Sequence, residues 1–123
     1  MAKVMLVKCG PRLVEFIQNR KRFHIIVAQT NDEARTILEK TAPDLLPDLV
    51  VIGTYPRSSS RTRDKRGMIE FAQSLKIQFR WTRIVLINGK IFAKRAPNCA
   101  DGVCRGLPAE VFTAIQKILS PAD

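Results

Sequence analysis

A run of four apolar residues in the middle of the chain constrains its fold most. Residues 49–52 read Leu-Val-Val-Ile and are stopped by Gly53. An unbroken, mostly β-branched run of this kind is typical of a strand that is buried on both faces, as strands of parallel sheets are. Open parallel sheets bind their ligands where the strands end. The segment that follows this strand is therefore the first place to look for function.

That segment is strongly basic. Residues 57–66 hold five lysines and arginines against one acid, Asp64, and so carry +4 of the formal net charge of +10. We predict an inserted loop here, followed by a helix that begins at Gly67. A basic run attracts phosphate backbones or acidic proteins without reading a sequence. A solvated loop without any partner has the same composition, and both interpretations are open.

The rest of the chain alternates short apolar runs with amphipathic segments. We predict further strands at residues 4–7, 23–28, 83–87 and 102–104. Helices are predicted to begin at Pro11, after a capping-box pattern at Thr30 and Glu33, at Gly67, at Lys90 and at Pro108. Strands that alternate with helices predict an α/β fold, a doubly wound parallel sheet of five strands with helices on both faces.

The composition narrows the functional classes. A chain of 123 residues is long enough for one domain with its own core. The three cysteines, Cys9, Cys99 and Cys104, lack the spacing of common zinc pairs, so we expect free thiols, no metal and no cofactor. Lys8 could activate the Cys9 thiol, but no histidine or acid stands beside it, and we expect no enzymatic activity. No apolar run is long enough to cross a membrane, and we expect a cytosolic protein.

Two local patterns carry a family likeness. Residues 31–34 read Asn-Asp-Glu-Ala at the start of a helix, and residues 47–52 read Pro-Asp-Leu-Val-Val-Ile into the middle strand. Together with the order of elements, they resemble the receiver domain of bacterial two-component response regulators, over residues 3–119. The resemblance implies a single receiver-like domain, with a flavodoxin-like sheet in the strand order 2-1-3-4-5.

The resemblance also implies where a phosphorylation site would lie. Receivers are phosphorylated on an aspartate after the third strand, hold Mg²⁺ with an acidic pair after the first, and sense the phosphoryl group with a hydroxyl residue and a lysine. The corresponding positions in this chain are Gly53, then Lys8 and Cys9, then Asn88 and, within a residue, Arg105. Glycine has no side chain to phosphorylate, and a lysine repels Mg²⁺. The resemblance therefore implies a pseudo-receiver that works without phosphorylation.

Basic residues replace acids at this edge of the predicted sheet. They define a candidate anion site, which comprises Lys8, Arg12, Arg57, Lys90 and Arg105. The serines at 58–60 and the backbone of Gly53 or Gly10 are further candidate donors. Replacement of lost acids by solvated bases, without any ligand, is the alternative.

The resemblance implies a signalling module that binds another protein. In receivers the contact surface is commonly formed by the fourth and fifth strands and the helices after them. The candidate contact residues on that surface are Ile91, Phe92, Lys94 and Arg95. A basic surface favours an acidic protein partner. The alternative is a nucleic-acid-binding module that uses residues 57–66.

Overall fold

The computed structural model describes residues 1–87 and 99–119. Its strands are β1 (Lys3–Val7), β2 (His24–Ala28), β3 (Leu49–Ile52), β4 (Arg83–Ile87) and β5 (Gly102–Cys104). Its helices are α1 (Pro11–Asn19), α2 (Asn31–Lys40), α3 (Arg61–Gln78) and α4 (Pro108–Leu119), with a short 3₁₀ helix at Pro43–Leu45. All strand pairs are parallel, and the order β2-β1-β3-β4-β5 confirms the prediction.

Alternate strand residues point to the two faces of the sheet, and helices cover both. On one face, α2 and α3 pack against a cluster that includes Met5, Val7, Val50, Ile52, Phe71 and Leu75. On the other, α1 and α4 pack against a cluster that includes Val4, Leu6, Leu49, Val51, Ile17 and Ile115. β3 is buried along its whole length, which explains why its four residues are all apolar. No helix in the described part of the chain is long and apolar enough to cross a membrane.

Three helices begin where the sequence predicts, and one of them is α4, which starts at Pro108. α1 starts at Pro11, directly after Gly10, whose φ of 78° lies in the region that favours glycine. α2 is capped by Thr30, whose hydroxyl accepts the backbone N–H of Glu33 at 3.0 Å. The Glu33 carboxylate accepts the N–H of Gln29 at 3.2 Å. It therefore reaches one residue further back than the capping box predicts.

The predicted loop at residues 57–66 is wrong from Arg61 onward, because α3 begins there and not at Gly67. Ser60 caps the helix, since its hydroxyl accepts the backbone N–H of Arg63 at 3.2 Å. The first buried residue of α3 is Met68. The first seven residues of the helix thus extend past the core, and only residues 57–60 of the predicted loop remain a loop.

Smaller differences concern the ends of other elements. β1 begins at Lys3 and not at residue 4, and β2 begins at His24 and not at residue 23. The predicted helix at 90–96 falls outside the described residues.

Candidate functional site

The carboxyl ends of the strands surround a cavity of about 210 Å³. Its lining comes from segments after three strands, β1, β3 and β5, from the last residue of β4 and from α1. The lining residues are Lys8, Cys9, Leu13, Gly53, Thr54, Tyr55, Arg57, Ile87 and Gly106. The cavity thus lies at the edge of the sheet that the sequence singles out.

The loops after β1 and β3 touch each other at Gly53. Its N–H donates to the Val7 carbonyl at 2.8 Å, and the N–H of Tyr55 donates to the Lys8 carbonyl at 2.9 Å. A Cβ atom at position 53 would lie 2.4 Å from the Lys8 carbonyl oxygen. Real Cβ atoms do not come so close to a carbonyl, so only glycine fits here without movement of the loop after β1.

The same contact holds Lys8 and Gly10 in unusual backbone conformations. Lys8 has a φ of 54°, which non-glycine residues seldom adopt. A Cβ atom at Gly10 would lie 3.2 Å from the Tyr55 ring. The Lys8 carbonyl and the Tyr55 ring therefore fill the space between the two loops.

The positive charges of Lys8 and Arg57 act on one carboxylate, that of Asp64. Asp64, in the first turn of α3, accepts the Ser58 hydroxyl at 2.7 Å and the Ser58 N–H at 3.1 Å. These bonds, with the nearby charges of Lys8 and Arg57, lower the pKa of the Asp64 carboxyl. Asp64 therefore stays ionised, and the charges of Lys8 and Arg57 both act on it.

Cys9 is placed as a structural thiol and not as a nucleophile. Its Sγ lies 3.4 Å from the Val7 carbonyl oxygen and 3.6 Å from that of Val51. Burial raises the pKa of the Cys9 thiol to about 12, and burial likewise raises that of Cys104 to about 11. Neutral thiols are poor nucleophiles, so the activated thiolate considered from the sequence is wrong.

Only part of the candidate anion site is assembled at the cavity. Lys8 and Arg57 line the cavity, whereas Arg12 is exposed and does not. Arg105 forms an ion pair with Glu110, with 2.6 Å between its Nη2 and Oε1. The remaining predicted residues, Asn88, Lys90, Ile91, Phe92, Lys94 and Arg95, lie outside the described residues.

Three of the other predicted donors, Gly53, Ser58 and Ser60, are engaged elsewhere. The Gly53 N–H is bonded to Val7, and Ser60 caps α3. Ser58 bonds Asp64. Three residues that the sequence did not single out belong to the site, namely Thr54, Tyr55 and Asp64.

The loop before α3 and the first turns of that helix form a second basic feature. We call it the arginine arm and define it as Arg57, Arg61, Arg63 and Arg66. All four side chains are exposed. None makes an ion pair with an acidic residue within residues 1–87 or 99–119. Positive charges in the first turn of a helix interact unfavourably with the helix dipole. The dipole therefore does not explain why arginines stand at the start of α3.

Comparison with known proteins identifies the fold. No family model and no curated protein matches the sequence. Response regulator protein TrrA from Thermotoga maritima, in complex with Mg²⁺ and BeF, matches with a TM-score of 0.70 and 15% identity over 98% of each chain. A response regulator receiver domain protein from Clostridium thermocellum matches with a TM-score of 0.67 and 13% identity, over 98% of this chain and 96% of that one.

The chain has the receiver fold. A third match is the N-terminal domain of a response regulator/sensory box/GGDEF protein from Carboxydothermus hydrogenoformans. Its TM-score is 0.58 at 15% identity, over 98% of this chain and 92% of that one. At such identities the likeness extends to the fold and not to the residues of the site.

The T. maritima relative holds Mg²⁺, so the donors of this receiver fold can be tested against that ion. Mg²⁺ prefers carboxylate and water oxygens in octahedral array. Lys8 and Cys9 follow β1, and Asp64 already accepts two bonds from Ser58. No group of three or more histidines, cysteines and acids suited to a metal occurs within residues 1–87 and 99–119. The residues at this cavity do not fit Mg²⁺.

Proposed function

We propose that the protein is a signalling module that binds a protein partner through its receiver fold and is not switched by aspartyl phosphorylation. The fold supports the signalling role. The partner is expected to be acidic, because the chain carries a formal net charge of +10.

One observation supports the proposal that the protein works without phosphorylation. Gly53 stands where the resemblance puts the phosphoacceptor, and its α-carbon lies against the Lys8 carbonyl so closely that a Cβ would be 2.4 Å from that oxygen. Position 53 therefore has no side chain to phosphorylate and no space for one. The basic pair of Lys8 and Arg57 also opposes the metal that the phosphorylation chemistry of receivers uses.

Thermal unfolding with and without Mg²⁺ tests this proposal. A ligand that binds only the native state raises its melting temperature. We expect no Mg²⁺-dependent rise, either alone or with beryllofluoride, and no phosphoryl group in the intact mass after incubation with acetyl phosphate. Because beryllofluoride is an anion that a basic cavity can attract without metal, the measured quantity is the difference between samples with and without Mg²⁺.

A receiver that retains its aspartate and acidic pair serves as the positive control, and Asp64→Asn removes the carboxylate on which Lys8 and Arg57 act. Any Mg²⁺-dependent stabilisation of the wild-type chain contradicts the proposal. If that stabilisation disappears in Asp64→Asn, the metal is bound by Asp64; if it persists, other acids bind it.

The arginine arm supports a second candidate function, binding of nucleic acid. Four exposed arginines lie within ten residues, and none of them is within ion-pair distance of an acidic residue in the described part of the chain. Such a cluster neutralises backbone phosphates and releases their counterions. Protein binding and nucleic-acid binding differ in their dependence on salt, which allows the two to be separated.

Titration with duplex and single-stranded DNA and RNA at several salt concentrations tests this second function. We expect Arg61→Gln, Arg63→Gln and Arg66→Gln together to weaken binding and to reduce the slope of log K against log salt by up to about 3 for a duplex, or about 0.9 per lost phosphate contact.

A matched control removes the same charge from the opposite edge of the sheet. Arg22→Gln, Lys40→Gln and Arg80→Gln change three exposed residues there. Equal losses in the two triple variants would show that net charge alone drives binding. No binding near physiological salt would remove nucleic acid as a function.

A further inference from the structure

The cavity at the carboxyl edge has the chemistry of an anion-binding pocket. Lys8 and Arg57 line it from the loops after β1 and β3, and Thr54 adds a hydroxyl-bearing side chain. In doubly wound sheets, ligands bind where neighbouring strands send their connections to opposite faces. β1 and β3 are such neighbours here, since α1 packs on one face and α3 on the other.

Three charged groups at the cavity have a net positive charge, and the two cations among them already act on the carboxylate of Asp64. Lys8 and Arg57 supply two positive charges, and Asp64 supplies one negative charge that Ser58 holds by two hydrogen bonds. One positive charge thus remains uncompensated by these three groups. An incoming anion would share the two cations with Asp64.

The size and lining of the cavity limit the ligand. About 210 Å³ is less than the roughly 300–1,000 Å³ of pockets for drug-sized ligands. Leu13 and Ile87 give the cavity an apolar side, and the Tyr55 ring borders it. The N–H groups of Gly53 and Tyr55 are already bonded to carbonyls, so these two groups do not bind a ligand and the cationic side chains are the main candidates.

We propose that this cavity binds a small phosphate-type anion, either inorganic phosphate or a phosphomonoester with a small organic group, through the side chains of Lys8 and Arg57. A phosphate of this type carries up to two negative charges near neutral pH, so it can compete with the single charge of Asp64 for the two cations. Arginine suits such a ligand because its guanidinium can donate two parallel hydrogen bonds. The proposal is independent of the protein partner and of the test with Mg²⁺.

Fluorescence of the single tyrosine reports on the cavity. The chain has one tyrosine, Tyr55, and one tryptophan, Trp81. Trp81 is 83% exposed and precedes β4, at the opposite edge of the sheet. In Trp81→Phe, tyrosine emission therefore comes from the cavity alone. We expect saturable changes on titration with inorganic phosphate or methyl phosphate, and none with chloride at matched ionic strength.

The two phosphate ligands distinguish the source of the anion. Tighter binding of methyl phosphate indicates a phosphomonoester that uses the apolar side of the cavity, and tighter binding of inorganic phosphate indicates the free ion. Calorimetric titration of the wild-type chain gives the affinity without a fluorophore. Absence of saturable binding of both ligands overturns the proposal.

Charge variants connect binding to the named residues. Arg57→Gln and Lys8→Gln should each weaken binding by about tenfold or more, the loss expected for one hydrogen bond to a charged group. Arg57 is exposed, so its variant does not endanger folding. Arg22→Gln removes the same charge at the opposite edge and should leave the affinity within about twofold, since an exposed charge more than a Debye length away is largely screened.

The Asp64→Asn variant tests whether Lys8 and Arg57 can bind an anion while Asp64 is present. If the anion shares them with Asp64, the variant should bind more tightly than the wild type. Binding that occurs only in Asp64→Asn overturns the proposal, because Asp64 would then already satisfy both cations. An equal loss of affinity in Arg22→Gln and Arg57→Gln would also overturn it.

Discussion

Gly53 is the residue at which two loops of the carboxyl edge meet. A methyl group there would lie 2.4 Å from the Lys8 carbonyl oxygen, which belongs to the backbone and cannot turn away as a side chain can. We expect Gly53→Ala to lower the free energy of unfolding by about 1–3 kcal/mol, the usual cost of forcing extra volume into a packed site. Urea unfolding followed by circular dichroism measures it.

Gly67 provides the matched control for that substitution. It lies inside α3, and a Cβ atom there would meet nothing within 4 Å. Alanine loses less conformational freedom than glycine on entering a helix, so Gly67→Ala should raise the free energy of unfolding by about 0.5–1 kcal/mol. If both variants shift stability in the same direction, the contact of Gly53 with Lys8 does not have the consequence that we assign to it.

At the scale of elements, the strands were predictable and the start of α3 was not. β3 and β4 are apolar runs bounded by glycine or polar residues, and such runs identify buried strands directly. The first turns of α3 contain basic residues that oppose the helix dipole, and Gly67 resembles a boundary. Ser60 is the signal that could have revealed the true start, because serine is a preferred N-cap residue.

The candidate site was predictable only where it depends on topology. Lys8 and Arg57 follow the ends of strands, so the parallel order alone brings them to one edge. The pairing of Arg105 was not predictable, because the sequence does not reveal that Glu110 lies within reach of it. Asp64 was missed because its place beside Lys8 depends on the turn that Ser58 and Ser60 fix.

At the scale of the whole molecule, the partner surface still rests on the sequence, since Phe92, Lys94 and Arg95 lie outside the described residues. We expect combined alanine substitution of these three residues to remove the protein partner in pull-downs from the native cell. Apolar and cationic side chains on a contact surface supply affinity and complementarity to an acidic partner.

The control for this pull-down is the pair Arg22→Ala and Lys40→Ala, which removes two charges at the other edge of the sheet. It should retain the partner. If every captured protein still binds the triple alanine variant, the surface is wrongly placed, although the tests with Mg²⁺ and phosphate remain valid.

The contact between Gly53 and Lys8 has a consequence for how this sequence can vary. Because a backbone atom blocks the space beside Gly53, no single substitution can introduce an aspartate there while the loop after β1 keeps its path. An aspartate at position 53 would therefore require changes in both loops at once. In an alignment of relatives, the columns of Gly53 and of the residues after β1 should therefore covary, and sequences with an acid at the first should differ at the second.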